Sequence, residues 1–333
     1  LAMPPGSMGK LQSLAVQLAG ITGSVQNTVS KKRIIVLCAD NGVVAEGVAS
    51  APPSVTAAQA VNMTRGLTGM ACLARHFSCE VQVVDVGIAT DYHCPAVLNC
   101  RIRRGTDDIA RGPAMSREEC IRAMRIGMEL AWQARNEGVS VIGVGEMGIG
   151  NTTTATAVLS VFTGLSPEEV TGRGGGITDA MLEQKKKIIA QAISVNNPCS
   201  EDCIDVVAKL GGFDIAAMCG VFLGAACCRL PVVIDGYISI VAALCAFRLS
   251  PLSRDFFIAS HRSQEPGYSA AARELALDPL LQLDMRLGEG SGCPLAFAVL
   301  EAACTIMTDM ASFEQARIDD SYLDKIRSQD GGE

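Results

Sequence analysis

The sequence is poor in aromatic residues, poor in histidine and without a dominant charge. Aromatic side chains make up 4% of its 333 residues, with a single tryptophan. That argues against a stacking platform for single-stranded nucleic acid. The net charge is −7, and the basic clusters at 31–33, 101–104 and 185–187 are short. A polyanion would need a broader basic surface, so neither nucleic acid nor a membrane is expected as a partner. A small phosphate needs only backbone amides and remains open. There are three histidines, His76, His93 and His261, and no Cys-x-x-Cys pair. No zinc pattern results, and no metal is expected. Cys199 and Cys203 come nearest to ligand spacing but lack a second pair, so they are read as loop thiols. The longest apolar stretch, 215–228, ends at Arg229, short of the roughly 20 residues that span a bilayer. It is read as a buried helix.

What is plentiful points to a folded globule. Hydrophobic residues reach 49% and charged residues 19%, which excludes disorder. The length allows about two domains. The fourteen cysteines sit in apolar runs such as Ala225-Ala226-Cys227-Cys228, where cysteine acts as a small hydrophobe. With no signal-peptide pattern, the expectation is reduced thiols in the cytoplasm. The sequence begins without methionine and soon enters a Pro-Pro-Gly turn, which is compatible with a preceding segment.

Strand and helix signals alternate. Residues 1–29 show helical spacing through Leu11, Leu14, Ala15 and Leu18. The β-branched run 33–39 predicts a strand buried on both faces. Helix follows at 57–77, strand at 80–86, and helix at 117–136 with Ser116 and Glu119 at capping-box spacing. Strand 139–144 leads to helices at 152–163, 179–192 and 211–228. Strand 231–234, helix 238–248 and strand 256–259 follow, and 270–316 looks helical. This rhythm predicts an α/β fold, a doubly wound and mainly parallel sheet in a Rossmann-like three-layer arrangement. Ligands of such sheets bind at the carboxyl ends of the strands. The segments there are polar or glycine-rich: Asp40-Asn41-Gly42, Asp85-Val86-Gly87, Gly145-Glu146-Met147-Gly148, Asp235-Gly236 and Ser260-His261-Arg262.

The turn Gly145-Glu146-Met147-Gly148-Ile149-Gly150-Asn151-Thr152 carries two familiar spacings. Gly143, Gly145 and Gly148 match a dinucleotide fingerprint. Gly145 to Thr152 matches a P-loop, with Asn151 in place of lysine. In both, glycines let the backbone approach an anion at a helix N-terminus. The missing lysine disfavours a nucleoside triphosphate, and the late position disfavours a dinucleotide, because Glu168 and Glu169 look like the first turn of a helix after Ser166-Pro167. A monophosphate fits best; a plain strand–helix connection fits the spacing equally well. The cluster Gly172-Arg173-Gly174-Gly175-Gly176 suits a second close approach or a flexible loop. Lys185 either reaches back to a phosphate or is solvated. Glu289, in Leu287-Gly288-Glu289-Gly290-Ser291-Gly292, is a general base if partly buried and otherwise a solvated or capping acid. Glu146 invites the same two readings.

Together these segments resemble the nicotinate-nucleotide–dimethylbenzimidazole phosphoribosyltransferase family of cobamide lower-ligand assembly. The likeness runs almost end to end. It includes Pro4-Pro5-Gly6-Ser7-Met8-Gly9, Ala39-Asp40-Asn41-Gly42-Val43, the Gly-Glu-Met-Gly-Ile-Gly-Asn-Thr-Thr string from Gly145 to Thr153, Gly172-Arg173-Gly174 and Gly211-Gly212-Phe213-Asp214. It continues through His261-Arg262-Ser263-Gln264-Glu265-Pro266-Gly267 and the Glu289 loop. The resemblance implies transfer of 5-phosphoribose from nicotinate mononucleotide to an aromatic base, with inversion at C1′ and without cofactor or metal. The base is 5,6-dimethylbenzimidazole or a related benzimidazole or phenol. It implies Glu289 as general base with Glu146 as a second catalytic carboxyl. Phosphate contacts are implied at Gly148, Ile149, Gly150, Asn151, Thr152, Thr153, Gly174, Gly175 and Lys185. Further substrate contacts are implied at Asp40, Ser50, Gln59, Met147, Leu287 and Asp235. The family organisation implies a large α/β domain at 30–265 and a small helical domain from 1–29 with 266–333, usually in a homodimer or in a heterodimer with a paralogue.

Some positions depart from the family pattern. Asn41 stands where histidine is usual, Ala49 where serine is usual and Asp214 where glutamate is common, and the 52–53 pair has an extra proline. These changes bear on the acceptor. They also motivate an alternative, a weakly active or non-catalytic subunit supporting a paralogous partner. A generic nucleotide-binding dehydrogenase is disfavoured by the absent early fingerprint.

Overall fold

The β-branched run at 33–39 forms β1 (Lys32–Ala39), buried along its whole length. Its alternate side chains divide between two cores. Ile35, Leu37 and Ala39 enter one, and Ile34, Val36 and Cys38 enter the other, as the two-residue period of a strand requires. In the computed structural model, which describes residues 1–324, β1 is central. It pairs in parallel with β2 (Glu80–Gly87) on one side and β4 (Val141–Met147) on the other. The short β3 (Leu98–Asn99) lies beyond β2, and β5 (Val232–Ile234) and β6 (Phe257–Ala259) lie beyond β4. The order is β3-β2-β1-β4-β5-β6, all parallel. This is the doubly wound order, and its switch point falls between β1 and β4.

Helices cover both faces. One core takes side chains from α4 (Arg117–Asn136), α5 (Asn151–Thr163), α7 (Asp179–Asn196), α8 (Cys203–Leu210), α9 (Phe213–Cys227), α10 (Tyr237–Leu249) and α11 (Tyr268–Glu274). The other takes α1 (Lys10–Thr22), α2 (Ser54–Thr64), α3 (Gly69–His76) and α12 (Cys293–Asp309). The short α6 (Pro167–Val170) and α13 (Phe313–Ala316) complete the set of α-helices among the described residues. The chain-end helices α1 and α12 touch each other. Leu14, Leu18, Phe297 and Leu300 share one core with Ile34, Val141 and Val233 of the sheet.

Several local expectations change. The helical span 1–29 contracts to α1, which ends at a left-handed Gly23. The single helix at 57–77 is two. Gly66 takes a φ of 74°, and Thr68 then starts α3 by accepting from the Ala71 N–H. The strand at 139–144 runs on to Met147. The helical span 270–316 holds an irregular stretch, 275–292, between α11 and α12. Glu168 and Glu169 do form the first turn of a helix, α6, with a capping box between Ser166 and Glu169. Cys199 is an exposed thiol, while Cys203 is buried at the start of α8. All fourteen thiols are unpaired. No described helix is long and apolar enough to cross a membrane.

Candidate active site

A cavity of about 370 Å³ opens at the carboxyl ends of β4, β5 and β6. Its walls come from residues 48–59, the β4–α5 turn, the 173–177 loop, the segments after β5 and β6, and the 286–289 loop. It unites Glu289, Glu146, Met147, Gly148, Ile149, Gly150, Asn151, Thr152, Gly174, Gly175, Ser50, Gln59, Leu287 and Asp235. Three expected contacts lie behind its wall. Thr153 is fully buried with an unpartnered hydroxyl, and Asp40 is buried with Oδ2 taken by the Ala89 N–H at 2.8 Å. Lys185 is not solvated: it is 1% exposed and reaches the wall through Thr152 Oγ1, 2.8 Å from its Nζ.

At one end the β4–α5 turn presents backbone donors. The N–H groups of Gly150 and Thr152 have no acceptor among the described residues. Gly150 supplies a left-handed φ of 91°, and α5 begins at the next residue, so its positive end faces the cavity. Lys185 also donates to Gly172 O at 3.1 Å, leaving one of its three N–H bonds free. Burial lowers its pKa to about 8, against a smaller raising effect of Glu265. Arg173 and Arg286 stand on the rim, and Arg286 donates to Gly174 O at 2.9 Å.

The turn differs from its sequence reading in one respect. Gly145 lies within β4, and a methyl group there would sit 2.5 Å from the Glu289 carbonyl oxygen. A methyl group on Gly148 would meet Ala39 O at 2.2 Å. The missing side chains of these two glycines make room for neighbouring backbone.

At the other end the groups are acidic. Glu289 is 5% exposed, with a left-handed φ of 65°. Its Oε1 accepts from Gln59 Nε2 at 3.3 Å and its Oε2 from the Met70 N–H at 3.5 Å. Burial raises its pKa, opposed by the Thr68 hydroxyl, the Met70 N–H and Gln59. The Asn62 amide donates to Gln59 Oε1 at 3.1 Å, which turns the Gln59 NH2 toward Glu289. Glu146 lies beneath; its Oε1 accepts from the Glu289 N–H at 3.4 Å, and Oε2 accepts from the Asn151 amide. The same amide donates to Asp214 Oδ2 at 3.1 Å. Burial, then the Asp214 charge, pushes Glu146 up to about 8; burial pushes Asp214 up to about 6. Near neutral pH, Glu146 therefore keeps its proton while Glu289, with three donors and without the Asp214 charge beside it, is the better base.

Asp235 lines the cavity, but its two oxygens accept from the Gly290 and Gly292 N–H groups at 2.9 and 2.7 Å. Burial raises its pKa to about 7 and lowers that of His261 to about 4. Site residues that sequence reasoning did not single out include Arg286, His261, Ser263, Glu265 and Tyr237. The polar residues at the end of β6 were visible as a strand end; nothing in the order of residues marked Arg286. Among the described residues, no group of three or more His, Cys, Asp or Glu could hold a metal ion.

A family model described as "Phosphoribosyltransferase" (DBI_PRT) matches residues 1–318. The nicotinate-nucleotide–dimethylbenzimidazole phosphoribosyltransferase of Clostridium perfringens is 50% identical over 99% of this chain and 91% of its own length. The protein of the same name from Clostridium tetani is 46% identical over 99% of this chain and 91% of its own. The crystal structure of CobT from Thermus thermophilus superposes with a TM-score of 0.92 at 38% identity, covering 96% of each chain.

Proposed function

Because the chain belongs to this phosphoribosyltransferase family, we propose that it moves 5-phosphoribose from nicotinate mononucleotide to 5,6-dimethylbenzimidazole or a related benzimidazole or phenol. The observation that carries this reading is the polarity of the cavity. Free N–H groups, Lys185 and two arginines gather at one end, with Glu265 there accepting from the Gly174 N–H, and the buried carboxyls of Glu289, Glu146 and Asp235 lie at the other. A nicotinate nucleotide has the matching polarity, with a phosphate dianion at C5′ and a cationic ring on C1′.

In this mechanism the 5′-phosphate lies against Gly148–Thr152, Gly174 and Gly175, with Lys185 adding its third N–H through the wall beside Thr152. Glu289 accepts the N–H proton of the acceptor base. The other ring nitrogen forms a bond to C1′ as the C1′–N bond to nicotinate breaks. The electron pair of that bond neutralises the pyridinium, so nicotinate leaves without a proton or a metal. Attack from the face opposite the leaving ring inverts C1′ and gives an α-riboside 5′-phosphate. Glu146, protonated near neutral pH, serves as a hydrogen-bond donor beneath the ribose and keeps a second negative charge away from Glu289. Holding two substrates in line with one base supplies most of the acceleration. Ser50, Gln59, Met147 and Leu287 bound the acceptor end. Ala49 and Ala51 leave that end roomy, which favours ring systems with substituents.

The same proposal has two further parts. The chain ends, 1–29 and 266–324, act as a small helical unit on the domain 30–265, supported by the α1–α12 contact; residues 325–333 of that unit lie outside the described residues. The enzyme works in the cytoplasm as a homodimer, or as a heterodimer with a paralogue; sedimentation velocity on the purified chain distinguishes these. The complete set of phosphate and carboxyl groups within one chain favours activity without a paralogue. The test is release of nicotinate from nicotinate mononucleotide across a panel of benzimidazoles and phenols. Glu289→Gln is expected to lower kcat by roughly 100- to 10,000-fold, the usual range for a general base. Equal rates for the two proteins sink the assignment of the base.

A further inference from the structure

We propose that Asp235 is a positioning residue: its carboxylate clamps the 288–292 loop through the Gly290 and Gly292 N–H groups and so sets the backbone that aims Glu289 into the cavity. This rests on Glu289 being the base. Three consecutive residues, Gly288, Glu289 and Gly290, have φ values of 80°, 65° and 89°. Glycine tolerates this region, but glutamate does not, at about 1–2 kcal/mol. Glu289 therefore needs external restraint to stay there. Its carboxylate is held by long bonds from Gln59 and the Met70 N–H, 3.3 and 3.5 Å, with the Thr68 hydroxyl as a third donor. The shorter bonds fall on the backbone after it, 2.9 Å at Gly290 and 2.7 Å at Gly292.

The clamp is itself anchored to three strands. Asp235 follows β5 directly. Its N–H donates to Ser239 Oγ at 3.2 Å, and that hydroxyl donates to Val144 O of β4 at 3.0 Å. Its carbonyl accepts from Ser260 Oγ at 2.9 Å, immediately after β6. From the opposite side Gly145 lets β4 press against the Glu289 carbonyl, and a methyl group on Gly292 would sit 2.3 Å from His261 Nδ1. The loop is held between the sheet edge and the Asp235 carboxylate. Asp235 itself is 1% exposed, with each oxygen already accepting an N–H, so it acts on the substrate through Glu289.

Asp235→Asn tests this with little change of volume. The amide keeps one acceptor oxygen and turns the other position into a donor facing an N–H. Expected is a kcat about 100-fold lower, the effect of a displacement of about 1 Å. The KM for nicotinate mononucleotide should stay within about threefold of wild type. In a Glu289→Gln background, Asp235→Asn should cause no further loss, because residues acting as a unit are non-additive. A raised KM with unchanged kcat would make Asp235 a substrate contact and overturn the proposal. So would the same fractional loss in both backgrounds. If Asp235→Asn does not fold, Gly292→Ala disturbs the same anchor, with the same kcat-only, non-additive loss expected; wild-type kcat in a folded Gly292→Ala protein also overturns it. If Glu289→Gln keeps wild-type kcat, the base assignment fails. If Glu289→Gln is inactive and Asp235→Asn is not impaired, the clamp alone fails.

Discussion

Affinity for nicotinate mononucleotide is expected to fall above pH 8, through Lys185. Burial against the first turn of α5 lowers this ammonium from its usual 10.5 to about 8. It donates to Thr152 Oγ1 and Gly172 O, at 2.8 and 3.1 Å, and its third N–H is the one proposed to meet the phosphate. A phosphomonoester is a dianion above about pH 6, so its arrival raises the lysine pKa again. The sign follows. Well below pH 8 the free enzyme already carries the proton, and affinity is flat. Above pH 8 each unit weakens binding about tenfold, so Kd at pH 9.5 is roughly 30-fold that at pH 7. Proton uptake on binding rises from roughly 0.1 at pH 7 to roughly 0.9 at pH 9. Isothermal titration of the Glu289→Gln protein, in buffers of different ionisation enthalpy, reads both quantities without turnover. Glu146 titrates in the same range, at about 8, so two variants separate the groups. Lys185→Met should bind roughly 10- to 150-fold more weakly at pH 7, the loss of a charged hydrogen bond, and should lose the alkaline limb. Glu146→Gln should retain it. A flat wild-type profile to pH 9.5, or a limb that survives in Lys185→Met, refutes the argument.

Three further outcomes follow from the same geometry. Gly174 has a φ of 56°, and a methyl group there would lie 2.7 Å from Thr152 Oγ1. Gly174→Ala should therefore raise the KM for the nucleotide by about tenfold and lower kcat little; an unchanged KM removes this loop from the phosphate end. Gly145→Ala drives a methyl group to 2.5 Å from the Glu289 carbonyl oxygen, and should lower kcat more than it raises KM; steady-state kinetics showing the reverse would uncouple β4 from the base. Glu146 holds its proton up to about pH 8 when folded, against a usual 4.5. The folded state thus binds more protons than the unfolded one across that window, and stability from this group declines as pH rises through it. Glu146→Gln has no such slope, so its melting temperature should gain on wild type between pH 5 and pH 8. A constant difference would place the titration elsewhere.

The parts of the fold visible in the sequence are those whose signal is local. β1 is a continuous β-branched run because both faces are buried, and α4 announces its start through Ser116 and Glu119, which form the capping box. What was hidden depends on partners distant in the chain. β3 has two residues and exists because Val84 and Asp85 of β2 offer an edge to Leu98 and Asn99. The break between α2 and α3 rests on one glycine in a left-handed conformation and one threonine cap, both easily absorbed into a helical period. The end of β4 moved by three residues because Gly145 to Met147 pair with Val36 to Cys38, a register that glycine-rich composition conceals.

The site divides along the same line. Residue types capable of the chemistry could be read off: a glutamate among glycines, a glycine turn before a helix, a lysine on the next helix. The state of each group could not, because pKa and aim are set by neighbours that sequence spacing does not rank. Lys185 and a solvated lysine look identical until Thr152 and Gly172 enclose the ammonium. Glu146 and Glu289 are both glutamates beside glycines. Burial, and then the charge of Asp214, 68 residues away in the chain, raise one of them to about 8. Asp235 shows the sharpest case. As an aspartate at a strand end it reads as a substrate ligand, yet both oxygens are taken by the loop that carries Glu289. The glycines split in the same way: Gly150 supplies a left-handed turn before α5, while Gly145 and Gly148 make room for the Glu289 carbonyl and for Ala39 O. A glycine motif therefore identifies where backbone must come close, and only the fold decides whether the visitor is a phosphate or another strand.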